Sequence, residues 1–317
     1  MKKRLALLAL LAAGPATAQS MGDPATPNFT VQESRTAFFT LQEAVRAVGD
    51  GQGTIRIAPG TYQECITQDG GEIAYVAERP GSVIFDTVTC EGKAAFVLRG
   101  RSARVEGIVF QNMQVPDRNG SGIRIEQGDL VVRETLFRNS ESGILGANDQ
   151  AGSIRIERST FSGLGRCDDG VDCAHSIYIN GSGSLSVANV RFERGRGGHY
   201  VKSRAPRIEV VDSSFDDSAG QATNYMIDLP AGANGTIARN TFVQGPNKEN
   251  YGALIALAGE NEDHDSNRLA LSDNQASVAP GFQHRTVFLA NWSGAQVALR
   301  DNRLHSQIAP SERRRRE

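Results

Sequence analysis

Three short segments between residues 175 and 230 concentrate side chains that can transfer protons or bind anions. At the matching positions elsewhere in the chain the residues are mostly apolar or ordinary polar ones. Imidazole, phenol, ammonium, guanidinium and carboxylate groups together suit a reaction on an acidic polysaccharide, which needs cations for its carboxylates and acids or bases for its protons. The predicted catalytic residues are His175, Tyr178, His199, Lys202, Arg204 and Asp228.

The reaction that fits this set best is β-elimination at a uronate, which removes the proton at C5 and expels the oxygen at C4. Arg204 is predicted to neutralise the carboxylate, because its planar guanidinium matches a carboxylate and stays charged. Lys202 or His199 would be the base, and Tyr178 the acid or a base shared with His175. Return of the proton from the other face would instead epimerise C5. The sequence does not separate a lyase from an epimerase.

Two other classes of function remain open. A glycoside hydrolase needs grouped carboxylates, for which Asp168, Asp169 and Asp228 are candidates, but only Asp228 belongs to the aligned strands. In the favoured interpretation Asp228 instead orients Lys202 or His199. A non-catalytic carbohydrate-binding protein of the cell surface would favour exposed aromatic residues, and the chain has a single tryptophan. This scarcity favours chemistry over binding alone.

Several further residues are predicted to line the same groove or to bind a cation. The short acidic loop between Cys167 and Cys173 has the oxygen ligands that Ca²⁺ prefers but lacks the twelve-residue EF-hand pattern. A turn pinned by a disulfide, which would fix His175, is therefore favoured over a calcium site. The acidic run 260–265 is interpreted as a solvated loop. The predicted substrate-binding residues are Arg124, Asn180, Tyr225 and Gln244, and the weak metal candidates are Asp168, Asp169 and Asp172.

The elements that position these residues repeat along the chain. From residue 105 an aliphatic residue is followed, five positions later, by phenylalanine or another apolar residue. Residues 110 and 304 lie 194 residues and seven intervals apart, so the mean period is about 28 residues. Short β-branched runs without amphipathic helices predict an all-β, single-stranded right-handed parallel β-helix, a solenoid in which each repeat is one coil. The pairs are Val105/Phe110, Val132/Phe137, Ile156/Phe161, Val187/Phe192, Val210/Phe215, Ile237/Phe242, Leu271/Ala276 and Leu299/Leu304.

Aligned coils predict which side chains stack. Tyr178 and Lys202 share an outward row, which Arg124 joins from an earlier coil, whereas strict alternation points Asp228 inward. The alignment treats Ile177, Val201 and Met226 as equivalent, and it stacks His175 and His199 with Asn224.

Asparagines at equivalent positions also recur at one turn. They predict either a hydrogen-bonded stack or an ordinary solvated turn. These asparagines are Asn240, Asn274 and Asn302.

The two ends of the chain differ from its centre. Residues 1–18 have the basic start, short apolar run and small-residue cleavage site of a signal peptide, so we expect a periplasmic or extracellular protein. Residues 19–39 are predicted to be an extension, 40–308 the β-helix domain, and 309–317 a disordered basic tail. Within the domain, Thr40 to Val48 predicts a capping helix, with Thr40 and Glu43 as a capping box.

Composition limits the partners. The formal net charge of −2 suggests neither nucleic acid nor an anionic membrane, and no segment is long and apolar enough for a membrane span. We expect a monomer. Four cysteines in an exported chain predict disulfides, and pairing of neighbours gives Cys65–Cys90 and Cys167–Cys173.

The segment IRIAPGTYQE after the capping helix, together with the repeats, resembles the pectate-lyase-like superfamily of right-handed parallel β-helices, over nearly all of the mature chain. A narrower resemblance is to a family of exported bacterial β-helix proteins with generic repeat names, to which no activity is attached. Met226 stands where that family has glutamate. The motifs are His175-x-x-Tyr178, Gly198-His199-x-x-Lys202-Ser203-Arg204-Ala205, Ile227-Asp228-Leu229-Pro230 and Gln244-Gly245-Pro246.

Overall fold

The computed structural model describes residues 26–167 and 173–316, and its strands wind into a parallel β-helix. Each repeat forms one coil, as predicted, and each coil contributes one strand to each of three sheets. Strands of successive coils pair in parallel, so every sheet runs along the axis of the solenoid. Strand β1 differs, because it pairs antiparallel with both of its neighbours, β2 and β3.

The first sheet has twelve strands among the described residues. In sheet order they are β2 (Thr36–Phe38), β1 (Phe29–Val31), β3 (Gln52–Ile57), β6 (Glu72–Ala77), β9 (Ser102–Glu106), β12 (Asp129–Arg133), β15 (Ser153–Glu157), β18 (Ser184–Ala188), β21 (Arg207–Val211), β24 (Asn234–Ala238), β27 (Leu269–Ser272) and β30 (Ala298–Arg300).

The second and third sheets each have ten strands in the same part of the chain. The second consists of β4 (Gly60–Tyr62), β7 (Val83–Asp86), β10 (Ile108–Gln111), β13 (Leu136–Arg138), β16 (Thr160–Ser162), β19 (Arg191–Glu193), β22 (Ser214–Asp216), β25 (Thr241–Gln244), β28 (Gln275–Val278) and β31 (Arg303–Leu304). The third consists of β5 (Ile66–Gln68), β8 (Ala94–Leu98), β11 (Ser121–Ile125), β14 (Ser142–Gly146), β17 (Ile177–Ile179), β20 (Val201–Ser203), β23 (Ile227–Leu229), β26 (Ala253–Leu257), β29 (Thr286–Asn291) and β32 (Ile308–Arg313).

The core is a continuous stack of side chains from successive coils. Its centre is a ladder of six phenylalanines in the second sheet, whose neighbouring ring centroids lie 4.7 to 5.3 Å apart. All six are almost completely buried, and each buried phenylalanine stabilises the fold by roughly 2 to 3 kcal/mol. The ladder consists of the residues that defined the repeat: Phe110, Phe137, Phe161, Phe192, Phe215 and Phe242.

A second ladder crosses the turn between the first and second sheets. Asn240 Nδ2 donates to Asn274 Oδ1 at 3.0 Å, and Asn274 Nδ2 donates to Asn302 Oδ1 at 2.8 Å. The stacked alternative is therefore confirmed, and the solvated turn is excluded for Asn240 and Asn274, which are buried.

One helix, α1 (Leu41–Val48), packs against strands of the first coil and begins with the predicted capping box of Thr40 and Glu43. Within the predicted extension, β1 (Phe29–Val31) and β2 (Thr36–Phe38) pair as antiparallel strands. The sequence predicted a signal peptide over residues 1–18, which lie outside the described residues. No helix in the described part of the chain is long and apolar enough to cross a bilayer.

The prediction of a disordered tail is wrong for most of its length. Strand β32 pairs with β29 and extends the third sheet by one more coil. Beyond it, the Arg314 guanidinium lies 5.0 Å from the centre of the Trp292 ring, and Arg316 forms an ion pair with Glu262 at 3.2 Å. Strand pairing and these contacts offset the repulsion among the four consecutive arginines.

Both predicted disulfides are present. Cys65 is bonded to Cys90 beside the first coils, and Cys167 is bonded to Cys173 just before β17. No cysteine of the chain is free.

Candidate active site

The third sheet carries the candidate residues on its outer face, but in a register that differs from the predicted one. Val201 lies opposite Ile227, and Lys202 lies opposite Asp228. The sequence alignment had matched Val201 with Met226, one position too early. Met226 and Ile227 are both apolar and both fully buried, so hydrophobic pattern alone cannot choose between them. This one-residue shift turns Asp228 from an inward position into the outward row of Lys202.

The outward row runs across five consecutive coils. Its members are, in order, Arg124, Leu145, Tyr178, Lys202 and Asp228, so Arg124 has the predicted register. Leu145 separates Arg124 from the rest, and the Arg124 Nε atom lies 3.6 Å from a carboxylate oxygen of Glu126. The candidate catalytic residues of the row are therefore its last three, Tyr178, Lys202 and Asp228.

Beside this row, rings from three coils stack where each chain segment enters the sheet. The ring centroids of His175 and His199 are 4.8 Å apart, and those of His199 and Tyr225 are 5.5 Å apart. Tyr225 thus occupies the place predicted for Asn224, by the same one-residue shift. The backbone N–H of His199 donates to His175 Nδ1 at 3.0 Å, which fixes the orientation of the His175 ring.

Lys202 and Arg204 converge on one carboxylate. Lys202 Nζ lies 2.8 Å from Glu260 Oε1 and 3.6 Å from Asp228 Oδ2. Arg204 donates one hydrogen bond to Glu260 Oε2 and another to the hydroxyl of Tyr178. The interpretation of residues 260–265 as a merely solvated loop is therefore wrong for Glu260. The loop follows β26, two coils beyond Lys202 in the same sheet, and returns toward it.

These side chains line a pocket of about 380 Å³. Sequence reasoning missed four of its residues, because each lies in a loop before or after a strand of the third sheet, where no periodic pattern marks a direction. The hydroxyl of Tyr178 also donates to Asn180 Oδ1 at 3.2 Å, which places Asn180 at the edge of the site. The missed residues are Asn119, Asn224, Glu249 and Glu260.

Burial sets the protonation states of the site. Burial, followed by the nearby charges of Lys202 and Arg204, lowers the pKa of His175 to about 3. Burial is also the main reason why the pKa of His199 lies well below its ordinary range. Both imidazoles are therefore neutral at neutral pH. Burial raises the pKa of Asp228 to about 6, although Lys202 opposes the change. His199 Nε2 lies 3.4 Å from Asp228 Oδ2.

Other predicted residues do not join the site. Gln244 is fully buried in the second sheet and points into the solenoid, so it does not face the groove. The carboxylates suggested for calcium, Asp168, Asp169 and Asp172, lie outside the described residues. Elsewhere in the described chain, the one grouping of three possible metal ligands includes both sulfurs of the Cys167–Cys173 disulfide, which are not available to a metal.

Comparisons with known proteins agree with this architecture. The protein-family model described as the right handed beta helix region matches residues 93–308 of the sequence. No curated protein sequence matches significantly. ORF18 of Geobacillus virus E2 superposes with a TM-score of 0.51 and 12% identity, over 86% of this chain and 57% of that one.

Two enzymes of known structure align less closely. The pectin methylesterase from Aspergillus niger superposes with a TM-score of 0.49 and 13% identity, over 93% of this chain and 92% of that one. Pectate lyase Pel9A superposes with a TM-score of 0.42 and 15% identity, over 87% and 74%. At these identities the likeness concerns the fold alone. The family model covers more than half of the sequence, and the chain therefore belongs to the right-handed β-helix family.

Proposed function

We propose that this protein cleaves a uronate-containing polysaccharide by β-elimination in the pocket over β17, β20 and β23. One observation supports this more than any other: Lys202 and Arg204 already hold a carboxylate, that of Glu260, with one cation on each oxygen. A uronate carboxylate has the same charge and geometry, and would bind these cations in the same way.

Charge neutralisation is assigned to Arg204 and Lys202 together. Lys202 lies between the carboxylates of Glu260 and Asp228, and it is therefore assigned to this role rather than to that of the base. Two cations on the substrate carboxylate stabilise the negative charge that develops when the neighbouring C5 proton leaves.

Both proton transfers are assigned to Tyr178: its deprotonated oxygen takes the proton from C5, and the phenol so formed gives that proton to the departing C4 oxygen, which leaves Tyr178 as it began. Its hydroxyl accepts a hydrogen bond from Arg204, so it lies beside any carboxylate that Arg204 holds, and hence beside C5. Neutral His175 has Nδ1 occupied as an acceptor, which leaves its Nε2–H to donate to a sugar oxygen. His199 is a positioning residue, since it contacts Asp228, which in turn lies beside Lys202.

A glycoside hydrolase is the second candidate, and one observation favours it. Asp228 and Glu260 both approach Lys202 Nζ, at 3.6 Å and 2.8 Å, so their oxygens are at most 6.4 Å apart, the sum of these distances. Burial raises the pKa of Asp228 to about 6. For Glu260, burial also acts to raise the pKa, but hydrogen bonds from Lys202 and Arg204 outweigh it and lower the value. This bound includes the separation of about 5 to 5.5 Å that a retaining glycosidase needs between a carboxyl that is protonated and one that is ionised.

The test is ultraviolet absorbance of the unsaturated uronate that elimination produces, measured on a panel of uronate polymers with and without calcium. The variants are Arg204→Lys and Tyr178→Phe. Arg99→Lys is the matched control, because Arg99 follows β8 as Arg204 follows β20, and it also pairs with glutamates, outside the pocket.

The proposal predicts absorbance that both site variants lose by about a hundredfold or more, as for loss of a transition-state hydrogen bond, while Arg99→Lys retains it. New reducing ends without absorbance would support the hydrolase. Altered uronate stereochemistry at constant chain length would indicate an epimerase, and polymer binding without any product would indicate a binding protein.

A further inference from the structure

The loop that follows β26 places Glu260 on the two cations of the pocket. One carboxylate oxygen lies 2.8 Å from Lys202 Nζ, and the other accepts a hydrogen bond from Arg204. The proposed function gives these cations a different partner, the carboxylate of a uronate. In the free protein that position is therefore occupied by a group of the protein itself.

The backbone of this loop is attached to the β-helix, but the side chain of Glu260 is not enclosed. The N–H groups of Glu260 and Asn261 donate to the carbonyl oxygen of Pro230 at 3.1 and 3.0 Å. His264 Nε2 lies 3.0 Å from the carbonyl oxygen of Arg204. The Glu260 side chain is 48% exposed, so rotation about its own bonds is enough to release the cations.

We propose that Glu260 is an internal competitor of the substrate: its carboxylate closes the subsite of Lys202 and Arg204 in the free protein and turns outward when a substrate carboxylate replaces it. This inference rests on the proposed function and specifies its substrate class. A neutral or esterified sugar that displaced Glu260 would leave Arg204 without its carboxylate partner and Lys202 with Asp228 alone, at an energetic cost. The pocket therefore selects polymers with free carboxylates.

The degree to which Glu260 weakens substrate binding follows from the solvent exposure of its ion pairs with Lys202 and Arg204. Lys202 and Arg204 are largely buried side chains, whereas Glu260 is about half exposed. Ion pairs of this kind oppose a competing ligand by about two- to fivefold in affinity. The competitor thus tunes affinity and selectivity without blocking the site.

The experiment compares Glu260→Gln with Glu249→Gln. Both glutamates line the pocket, and both substitutions remove one negative charge from it. Glu249, however, accepts a hydrogen bond from Asn224 at 2.8 Å and makes no ion pair with either cation. Each protein is titrated with galacturonate and with its methyl ester, and binding is followed by the NMR signal of the Arg204 side-chain Nε–H.

Glu260→Gln should bind galacturonate about two- to fivefold more tightly than the wild type, a gain that Glu249→Gln does not match. Equal gains in both variants would show a general effect of charge and overturn the proposal. Weaker binding by Glu260→Gln would show that this residue holds the cations in place or reacts itself, and would also overturn it.

The two proposals fail separately. A protein that cleaves no uronate polymer but shows this gain has the internal competitor without the lyase reaction. A protein that cleaves polymer without the gain has the reaction without the competitor.

Discussion

Replacement of Asp228 by asparagine is expected to make the folded protein more stable at neutral pH. Asp228 is a buried carboxyl, with 8% of its side chain exposed, and burial raises its pKa from 3.8 to about 6. A raised pKa in the folded state means that folding favours the protonated form. The stability that this carboxyl contributes is fully present below pH 3.8, and it is lost as the pH rises through about 6.

The magnitude follows from the shift. Because the pKa of Asp228 rises from 3.8 to about 6, an ionised Asp228 costs about 3 kcal/mol of folding free energy above pH 7, at roughly 1.4 kcal/mol for each tenfold change in proton affinity. The groups that face Asp228 are His199, Lys202, Arg204 and Glu260, and the attraction of the two cations is already contained in this shift. Asparagine has nearly the same shape as the protonated acid and carries no charge. Asp228→Asn should therefore gain about 1 to 3 kcal/mol at pH 8 and nothing near pH 3.

The assay is urea unfolding of wild type and Asp228→Asn at pH 3 and pH 8. Asp216→Asn is the control, because Asp216 is a partly exposed aspartate on β22, the preceding strand in the chain, which belongs to the second sheet. An advantage of Asp228→Asn that appears only at the higher pH would support the account. A variant that is less stable than the wild type at pH 8 would refute it, since Asp228 would then stabilise the fold as an ion-pair partner.

Two further predictions concern stability outside the pocket. Phe161→Ala, in the phenylalanine ladder, should lower the unfolding free energy by about 3 to 5 kcal/mol. The control Phe39→Ala, at a side chain that is 60% exposed, should change it by less than about 0.5 kcal/mol. Similar losses for the two variants in urea unfolding would contradict the packing of the ladder. Lys248→Met should lower the unfolding free energy by about 3 to 5 kcal/mol, because the fully buried Asp217, 3.0 Å from Lys248 Nζ, would lose its counter-ion. Adding Asp217→Asn should restore part of this stability, and a double variant no more stable than the single one would be evidence against the ion pair.

The fold was largely predictable because each coil repeats the same physical requirement. Phenylalanine at one inward position must stack on its counterpart, so six copies along the chain predicted both the period and the ladder. The asparagine ladder was only half predictable, since the same residues also favour solvated turns.

The site was predictable by composition but not by geometry. His175, Tyr178, His199, Lys202 and Arg204 do come together, because they belong to adjacent coils of one sheet. The predicted orientation of Asp228 was wrong, because Met226 and Ile227 are adjacent apolar residues at the start of β23 and the hydrophobic pattern leaves the register open there.

Contacts made by loops were not predictable. Glu260 lies in an acidic run that has the composition of a solvated loop, and its role follows only from the return of that loop toward Lys202 and Arg204. The C-terminal arginines likewise suggested disorder from charge alone, whereas an unpaired strand edge on β29 was available to them.

The most direct measurement of the central claim is a crystal structure of Tyr178→Phe with a bound uronate trisaccharide, which this variant should not cleave. The account predicts one uronate carboxylate between Lys202 and Arg204, the side chain of Glu260 turned outward, and C5 of that sugar facing the ring of residue 178. A trisaccharide bound elsewhere on the β-helix, or bound here with its carboxylates away from both cations, would contradict it.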